Sequence, residues 1–334
     1  MPLWGYLDES LPEVMEKKID AAVDNGVDGF IFDWYWFEDG GYRLKCIDQG
    51  FLGASNCKKA KFGIMWCNHD PVWVHPAGKY TGCLPLHSAD LSLQAFYEGT
   101  QYCIDHYMWR DNYLRNSKGE LYFCFYVSGR LIKNFGGEEG LRIAIADFRE
   151  RVRKARLGEV DLSAIFESIP GFAEDITAAN QRMVRLGFNS YSTHGLQVRD
   201  TLPFPHRAYA ESIAANIAAF SDFTEKAALP LHINIYQGRD PSPRTIQSDM
   251  YGEYGFPFGR IINDKTPAAF EELCRAAKNF YYEKGTGEYI TVYSWNEWTE
   301  GGYLEPDCED GYGYLDALRH VFRQERSGEN ETVQ

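Results

Sequence analysis

The chain is short of positive charge. It has 34 Lys and Arg against 48 Asp and Glu, a formal net charge of −14 over 334 residues. Such a surface has no general attraction for phosphate backbones or anionic lipid, so neither nucleic-acid nor membrane partners are expected. Long apolar runs are missing too. Stretches such as Gly29 to Trp36 are strand-sized, well below the roughly 20 apolar residues of a spanning helix. The opening Met-Pro-Leu-Trp-Gly-Tyr has no basic start and no apolar core, so no leader is visible. Eight cysteines occur without a Cys-x-x-Cys pair, and Cys67 and Cys124 sit inside apolar runs, which reads as reduced thiols in a cytoplasm. A shortened N-terminus that has lost an export signal is the other reading of compartment.

Several chemical handles are absent as well. There is no Gly-x-Gly-x-x-Gly turn, P-loop or Asp-x-Asp, which removes the usual nucleotide and nucleotide-sugar cradles. No Gly-x-Ser-x-Gly elbow is present. His69, Asp70, His75 and His87 share one stretch but lack zinc-ligand spacing, and Asp307, Glu309 and Asp310 lack an EF-hand pattern. Neither a metal nor another cofactor is expected.

Aromatic residues, by contrast, make up 15% of the chain. Rings suit ligands that present C–H faces beside hydroxyls, as sugars do. A Tyr- and Phe-rich core is the alternative, and composition does not choose between them.

Short apolar runs alternate with amphipathic stretches. Strands are predicted at 28–34, 61–67, 121–127, 162–168, 187–193, 230–236 and 288–295, nearly continuous apolar runs as in strands covered on both faces. Helices are predicted at 12–25, 91–107 after an Asp90 cap, 138–156, 174–186, 207–228, 266–284 and 312–324. The repeated strand–helix order predicts the α/β class and a (β/α)8 TIM-type barrel over 1–326, followed by a disordered polar tail at 327–334. Only seven strands are readable. The first strand is expected to be lacking or distorted, with Leu3–Leu7 as a poor substitute, and an open doubly wound sheet is the alternative.

Two long connections follow strand ends, 68–90 and 237–265, on the barrel face that carries active sites. The densest chemistry is Ser294–Asp307, S-W-N-E-W-T-E-G-G-Y-L-E-P-D. In a helical turn, Glu297 and Glu300 would lie on one side about 5–6 Å apart, near the roughly 5–5.5 Å of retaining glycosidases. The flanking Trp295 and Trp298 would desolvate one of them, as a general acid requires. Asn296 is a candidate donor to a sugar hydroxyl. The other strand ends add Asp33, Trp34 and Trp36, then Trp66, Asn68, His69 and Asp70, then Tyr126, Glu167, Tyr191 and Tyr236, with Glu305 further on. Converging carboxylates, amides, His and rings describe a polyol site. Singly each has a bland reading: a loop cap for Asp33, core for Trp34 or Trp36, an acidic loop for the glutamates. A permanent ion pair to Arg or Lys, or a side chain pointing into bulk solvent away from any groove, would remove the enzymatic reading and leave only the architecture.

At Trp295-Asn296-Glu297-Trp298-Thr299-Glu300-Gly301 and Leu304-Glu305-Pro306-Asp307 the chain resembles glycoside hydrolase family 99 and its bacterial WbsX-like relatives, some of which are labelled glycosyltransferases. Phe30–Phe37, Met65–Asp70, Gly238–Arg244 and Gly311–Leu315 extend the likeness over most of the chain. The resemblance implies a (β/α)8 barrel and metal-free, retaining hydrolysis of internal α-mannosidic bonds. It further implies that Glu297 deprotonates the 2-hydroxyl, giving a 1,2-anhydro sugar, while Glu300 protonates the leaving oxygen and then activates water. Thr299 stands where endomannosidases typically carry His, so subsite preference is expected to differ. A glycosyltransferase or transglycosylase of surface polysaccharide assembly and a non-catalytic carbohydrate-binding barrel are the alternatives. In each reading the partner is an oligosaccharide or polysaccharide.

Overall fold

The computed structural model describes residues 1–194 and 204–323, so the tail at 327–334 lies outside the described residues. Seven parallel strands run in sequential order in one sheet of eight: β1 Gly29–Phe37, β2 Lys61–Trp66, β3 Leu121–Phe125, β4 Val160–Ile165, β5 Ser190–Ser192, β6 Leu231–Tyr236 and β7 Ile290–Tyr293, with the short strand Gly40–Tyr42 antiparallel to the end of β1. Helices stand between them, and sequential parallel order with helical crossovers is the geometry of a TIM-type barrel. The doubly wound alternative, which needs a reversal of strand order, is excluded.

Helix ends follow local chemistry. Thr266 caps Pro267–Lys284 by accepting from the Ala269 amide at 3.2 Å, and Gly285 ends it with φ +60°. Asp175 caps Ile176–Leu186. The helix predicted to start after Asp90 instead spans Leu93–Cys103 (α2), because the Ser92 hydroxyl accepts from the Ala95 amide. Asp90 turns to Arg130.

Leu3–Leu7 forms no strand. Its backbone pairing is limited to a bridge from Pro2 to Asp307 and a hydrogen bond from the Leu3 amide to the Pro306 carbonyl, while the Trp4 indole donates to the Tyr312 hydroxyl at 3.2 Å. Among the described residues no strand joins β7 to the first half of β1, and burial marks the seam. The residues of β3, β4 and β6 are buried throughout, whereas β7 and the first four residues of β1 are half-exposed. Rings partly bridge the gap, with Phe30 meeting Trp295 edge-on at 5.4 Å. Helix α1, Pro12–Asp24, reaches both sides of it: Met15 and Ile19 belong to the core cluster against which Phe30 packs, and Ala21 packs on the same cluster as Ile290 and Val292. Its buried Lys18 pairs with Glu9 at 2.5 Å and with buried Glu305.

Strand parity divides the core. Residues outside the barrel, including Trp34, Trp66, Phe123 and Leu162, pack under the helices. Inside lie Met65, Cys67, Tyr122, Cys124 and Ile165, beside a polar set in which Ser190 donates to Asp161 and Tyr122, Ser163 and Ser192 share hydroxyl contacts.

Candidate active site

The segment after β7 folds on itself. Asn296–Glu297 pair with Gly302–Tyr303, and a 3-10 turn spans Trp298–Glu300 between them. The Ser294 hydroxyl locks the base, donating to the Gly302 carbonyl at 2.7 Å and accepting from the Glu297 amide at 3.1 Å. Gly301 closes the turn at φ +69°, where a Cβ would stand 2.6 Å from the Asp240 amide nitrogen. A 3-10 turn eclipses residues i and i+3, which sets Glu297 and Glu300 on one side.

One guanidinium joins the two. Arg244 donates from Nη2 to Glu297 at 2.6 Å, from Nη1 to Glu300 at 2.5 Å and from Nε to the Thr299 hydroxyl at 2.9 Å. A planar fork that touches both puts their nearest oxygens no more than about 7 Å apart. The second oxygen of Glu300 accepts from the Tyr293 hydroxyl at 2.5 Å. Thr299 also donates to Glu297, at 3.2 Å. Burial raises the Glu297 carboxyl above its ordinary range, opposed by Arg244 and reinforced by the charge of Glu300. This ion pair, if permanent, is the arrangement that removes the enzymatic reading; Glu300, with both oxygens engaged, can act only once it opens, whereas Glu297 has one oxygen clear of it.

Two loops deliver the arginine. The stretch 68–90, expected to be irregular, holds a hairpin of Val72–Gly78 and Gly82–Pro85. Its Ala77 bridges to Thr245, next to the 3-10 turn Ser242–Arg244. The long connection after β6 is thereby braced against the one after β2.

Beside the glutamates runs a chain of alternating Tyr and His from five strand ends. Tyr35 meets His69 at 6.0 Å, His69 meets Tyr126 at 5.5 Å, Tyr126 meets His194 at 5.0 Å and His194 meets Tyr293 at 5.0 Å. Asp33 is solvent-accessible, yet it lies deep within this hollow. Desolvation, then the charge of Glu297, raises its carboxyl to about 7. Glu167 is also raised to about 7 by desolvation, although its Oε1 accepts from the His194 amide at 2.7 Å. Burial lowers His194 to about 4, leaving it neutral at pH 7.

Of the residues singled out from sequence, Asp33, His69, Tyr126, Glu167, Glu297 and Glu300 meet in this hollow. Others do not. Trp34 and Trp66 are buried on the helix side of the barrel, with Trp36 packed beside them. Trp34 stacks on Trp36, and Trp66 on Phe96 of α2. Tyr191 is buried against Phe166, and Tyr236 in the core beside Tyr209. Asn68 exchanges two 2.8 Å hydrogen bonds with the Val127 backbone. Asp70 is held by Arg130 at 2.7 and 2.9 Å, and chiefly that contact lowers its carboxyl. Asn296 is exposed and donates to Glu9. The two indoles lie behind the loop: Trp295 against Phe30, and Trp298 stacked on Tyr303 at 3.9 Å with its Nε1 donating to Glu305. Glu305 is therefore an anchor. Sequence reasoning missed Arg244, Tyr293 and Tyr35. Arg244 lay in a flagged loop and in the Gly238–Arg244 motif, and the tyrosines share the inward parity of Asp33 or stand at a strand end.

Comparison with known proteins agrees with the fold. Solved structures of the GH99 endo-alpha-mannosidase from Bacteroides thetaiotaomicron superpose with TM-score 0.59 at 18% identity, covering 98% of this chain and 84% of that one. For its complex with bis-tris-propane the values are 0.60, 17%, 98% and 89%. "Uncharacterized protein WxcX" of Xanthomonas campestris pv. campestris is 23% identical over 332 residues, 95% of this chain but 42% of that protein. The chain thus spans less than half the length of this curated relative. The family model described as "Glycosyltransferase WbsX" matches residues 2–318, and the chain belongs to that family.

Proposed function

We propose that this chain is a glycan-active enzyme, a glycoside hydrolase that cleaves an α-linked, mannose-type glycan with retention. The observation that carries the reading is the pair Glu297 and Glu300, gathered by one guanidinium at the C-terminal mouth of the barrel beside a Tyr/His wall. Aromatic faces suit sugar C–H surfaces, and close carboxyls suit retention. With Arg244 moved aside, Glu297 takes the proton of the 2-hydroxyl as O2 bonds to the anomeric carbon. The glycosidic bond breaks, and Glu300 gives its proton to the leaving oxygen. Water then attacks the anomeric carbon, Glu300 takes its proton, and the 1,2-anhydro ring opens as O2 recovers the proton from Glu297. The metal-free chemistry needs only these two groups.

The family description favours a second reading, sugar transfer from an activated donor. One experiment separates them: incubation with an α-mannan panel, with and without nucleotide sugars, followed by reducing-end release and proton NMR. Release of reducing sugar whose first anomer is α supports the hydrolase. Turnover that requires a nucleotide sugar supports the transferase and overturns the hydrolytic reading.

A further inference from the structure

We propose that the glycan taken by this site carries an anionic substituent, and that this anion draws Arg244 away from Glu297 and Glu300. The inference rests on the catalytic reading above and deepens it.

As the site stands, both oxygens of Glu300 accept from protein donors and Glu297 is engaged by the same guanidinium. A general acid must aim a proton at a leaving oxygen, and a base must reach a substrate hydroxyl. Glu300 has no oxygen free to do so until Arg244 finds another partner, and Glu297 keeps only one oxygen clear of Arg244 and Thr299. Moving a guanidinium from two carboxylates to a neutral hydroxyl exchanges charge-assisted hydrogen bonds for weaker ones. A carboxylate or phosphate on the substrate replaces them in kind, because the Arg fork matches such groups in a bidentate way.

A second observation points the same way. Arg239, on the same connection, lies close enough to His194 and Tyr293 to bear on their titration. Among the described residues it has no carboxylate within ion-pair distance. Arg43 follows the short strand Gly40–Tyr42 that pairs with the end of β1, and its Nε donates to the Tyr42 hydroxyl at 3.1 Å. It bears on Tyr35 and His75, stacks over the Tyr42 ring at 5.1 Å, and likewise has no ion-pair partner among the described residues. In a chain of net charge −14, Arg239 thus adds a second guanidinium, beside that of Arg244, near the His194 and Tyr293 rings of the hollow. Asp33 and Glu167, further carboxyls of that hollow, have raised affinity for protons and oppose an incoming anion less than ordinary carboxylates would.

The test is calorimetric binding of three matched probes: α-mannobiose, a glucuronic-acid-bearing counterpart and a phosphate-bearing counterpart. The proteins are the wild type and the Arg244→Gln, Arg239→Gln and Glu297→Gln variants. The wild type is expected to bind at least one acidic probe about tenfold or more tighter than the neutral one. Arg244→Gln and Arg239→Gln should each bring that ratio toward one. Glu297→Gln should raise affinity for the acidic probe several-fold, since a competitor for Arg244 is gone, and leave no such gain for the neutral probe. Misfolding cannot produce that gain. Equal binding of acidic and neutral probes, or no gain in Glu297→Gln, overturns the proposal, and the uronate and phosphate arms identify the anion. Tight acidic binding without turnover defeats the hydrolase reading alone. Turnover restricted to neutral glycans defeats this inference alone.

Discussion

Lys18→Met tests how the open side of the barrel is held. Lys18 is 4% exposed and sits between Glu9 and Glu305, itself 6% exposed. Glu305 also accepts from the Trp298 indole at 2.8 Å, so this contact ties α1 to the loop carrying Glu297 and Glu300. The opposing carboxylates outweigh the desolvation of the ammonium and raise its proton affinity. Met has a similar length and volume, so the main loss is charge. It strands Glu305 as a buried anion, which costs about 3–5 kcal/mol. At about 2–4 °C per kcal/mol for large domains, Tm should fall by roughly 6–20 °C. Thermal unfolding followed by circular dichroism at pH 7 measures it. Lys18→Met with Glu305→Gln should recover at least half of the loss, because Gln still accepts from Trp298 without a charge. A single variant within 1 kcal/mol of wild type, or strictly additive effects, would refute the reasoning.

Further outcomes follow from other contacts. The folded state holds the Glu167 proton up to about pH 7, while the unfolded chain releases it near 4.3, so this group stabilises fully below that value and its contribution is lost as pH rises to about 7. Glu167→Gln should therefore match wild type near pH 4.5 and exceed it at pH 8 by up to about 3 kcal/mol in urea unfolding; equal pH slopes would contradict this. Asn68→Ala removes both hydrogen bonds to Val127 and should cost roughly 1–3 kcal/mol, with KM little changed, since Asn68 holds two strand-end loops together. Gly301→Ala forces a Cβ toward the Asp240 amide, which donates to the Glu300 carbonyl at 2.6 Å. It should cost about 1–3 kcal/mol and lower kcat, read by steady-state assay beside a melting curve.

The fold was legible because strands covered on both faces leave continuous apolar runs and because helix ends carry local signals, as Thr266–Pro267 and Gly285 do. That same continuity hides parity. With no polar alternation in Phe30–Phe37, hydropathy cannot say whether Asp33 or Trp34 faces the hollow, and the tryptophans were read as sugar platforms. The polar residues held the answer: inward Asp33 forces Trp34 and Trp36 outward, and inward Ser190 and Ser192 do the same to Tyr191. That Glu297 and Glu300 share one side of a turn was legible from their spacing together with the strand-end position. Arg244 was not, because its position depends on a brace between two loops far apart in the chain, Ala77 against Thr245.

The most direct test of the central claim compares wild type, Glu297→Gln and Glu300→Gln on a glycan that the wild type cleaves, with melting curves to show that each is folded. Each substitution alone should lower kcat/KM by about 1,000-fold or more, as expected when a group needed for proton transfer is lost. Either folded variant turning over at the wild-type rate would contradict that claim.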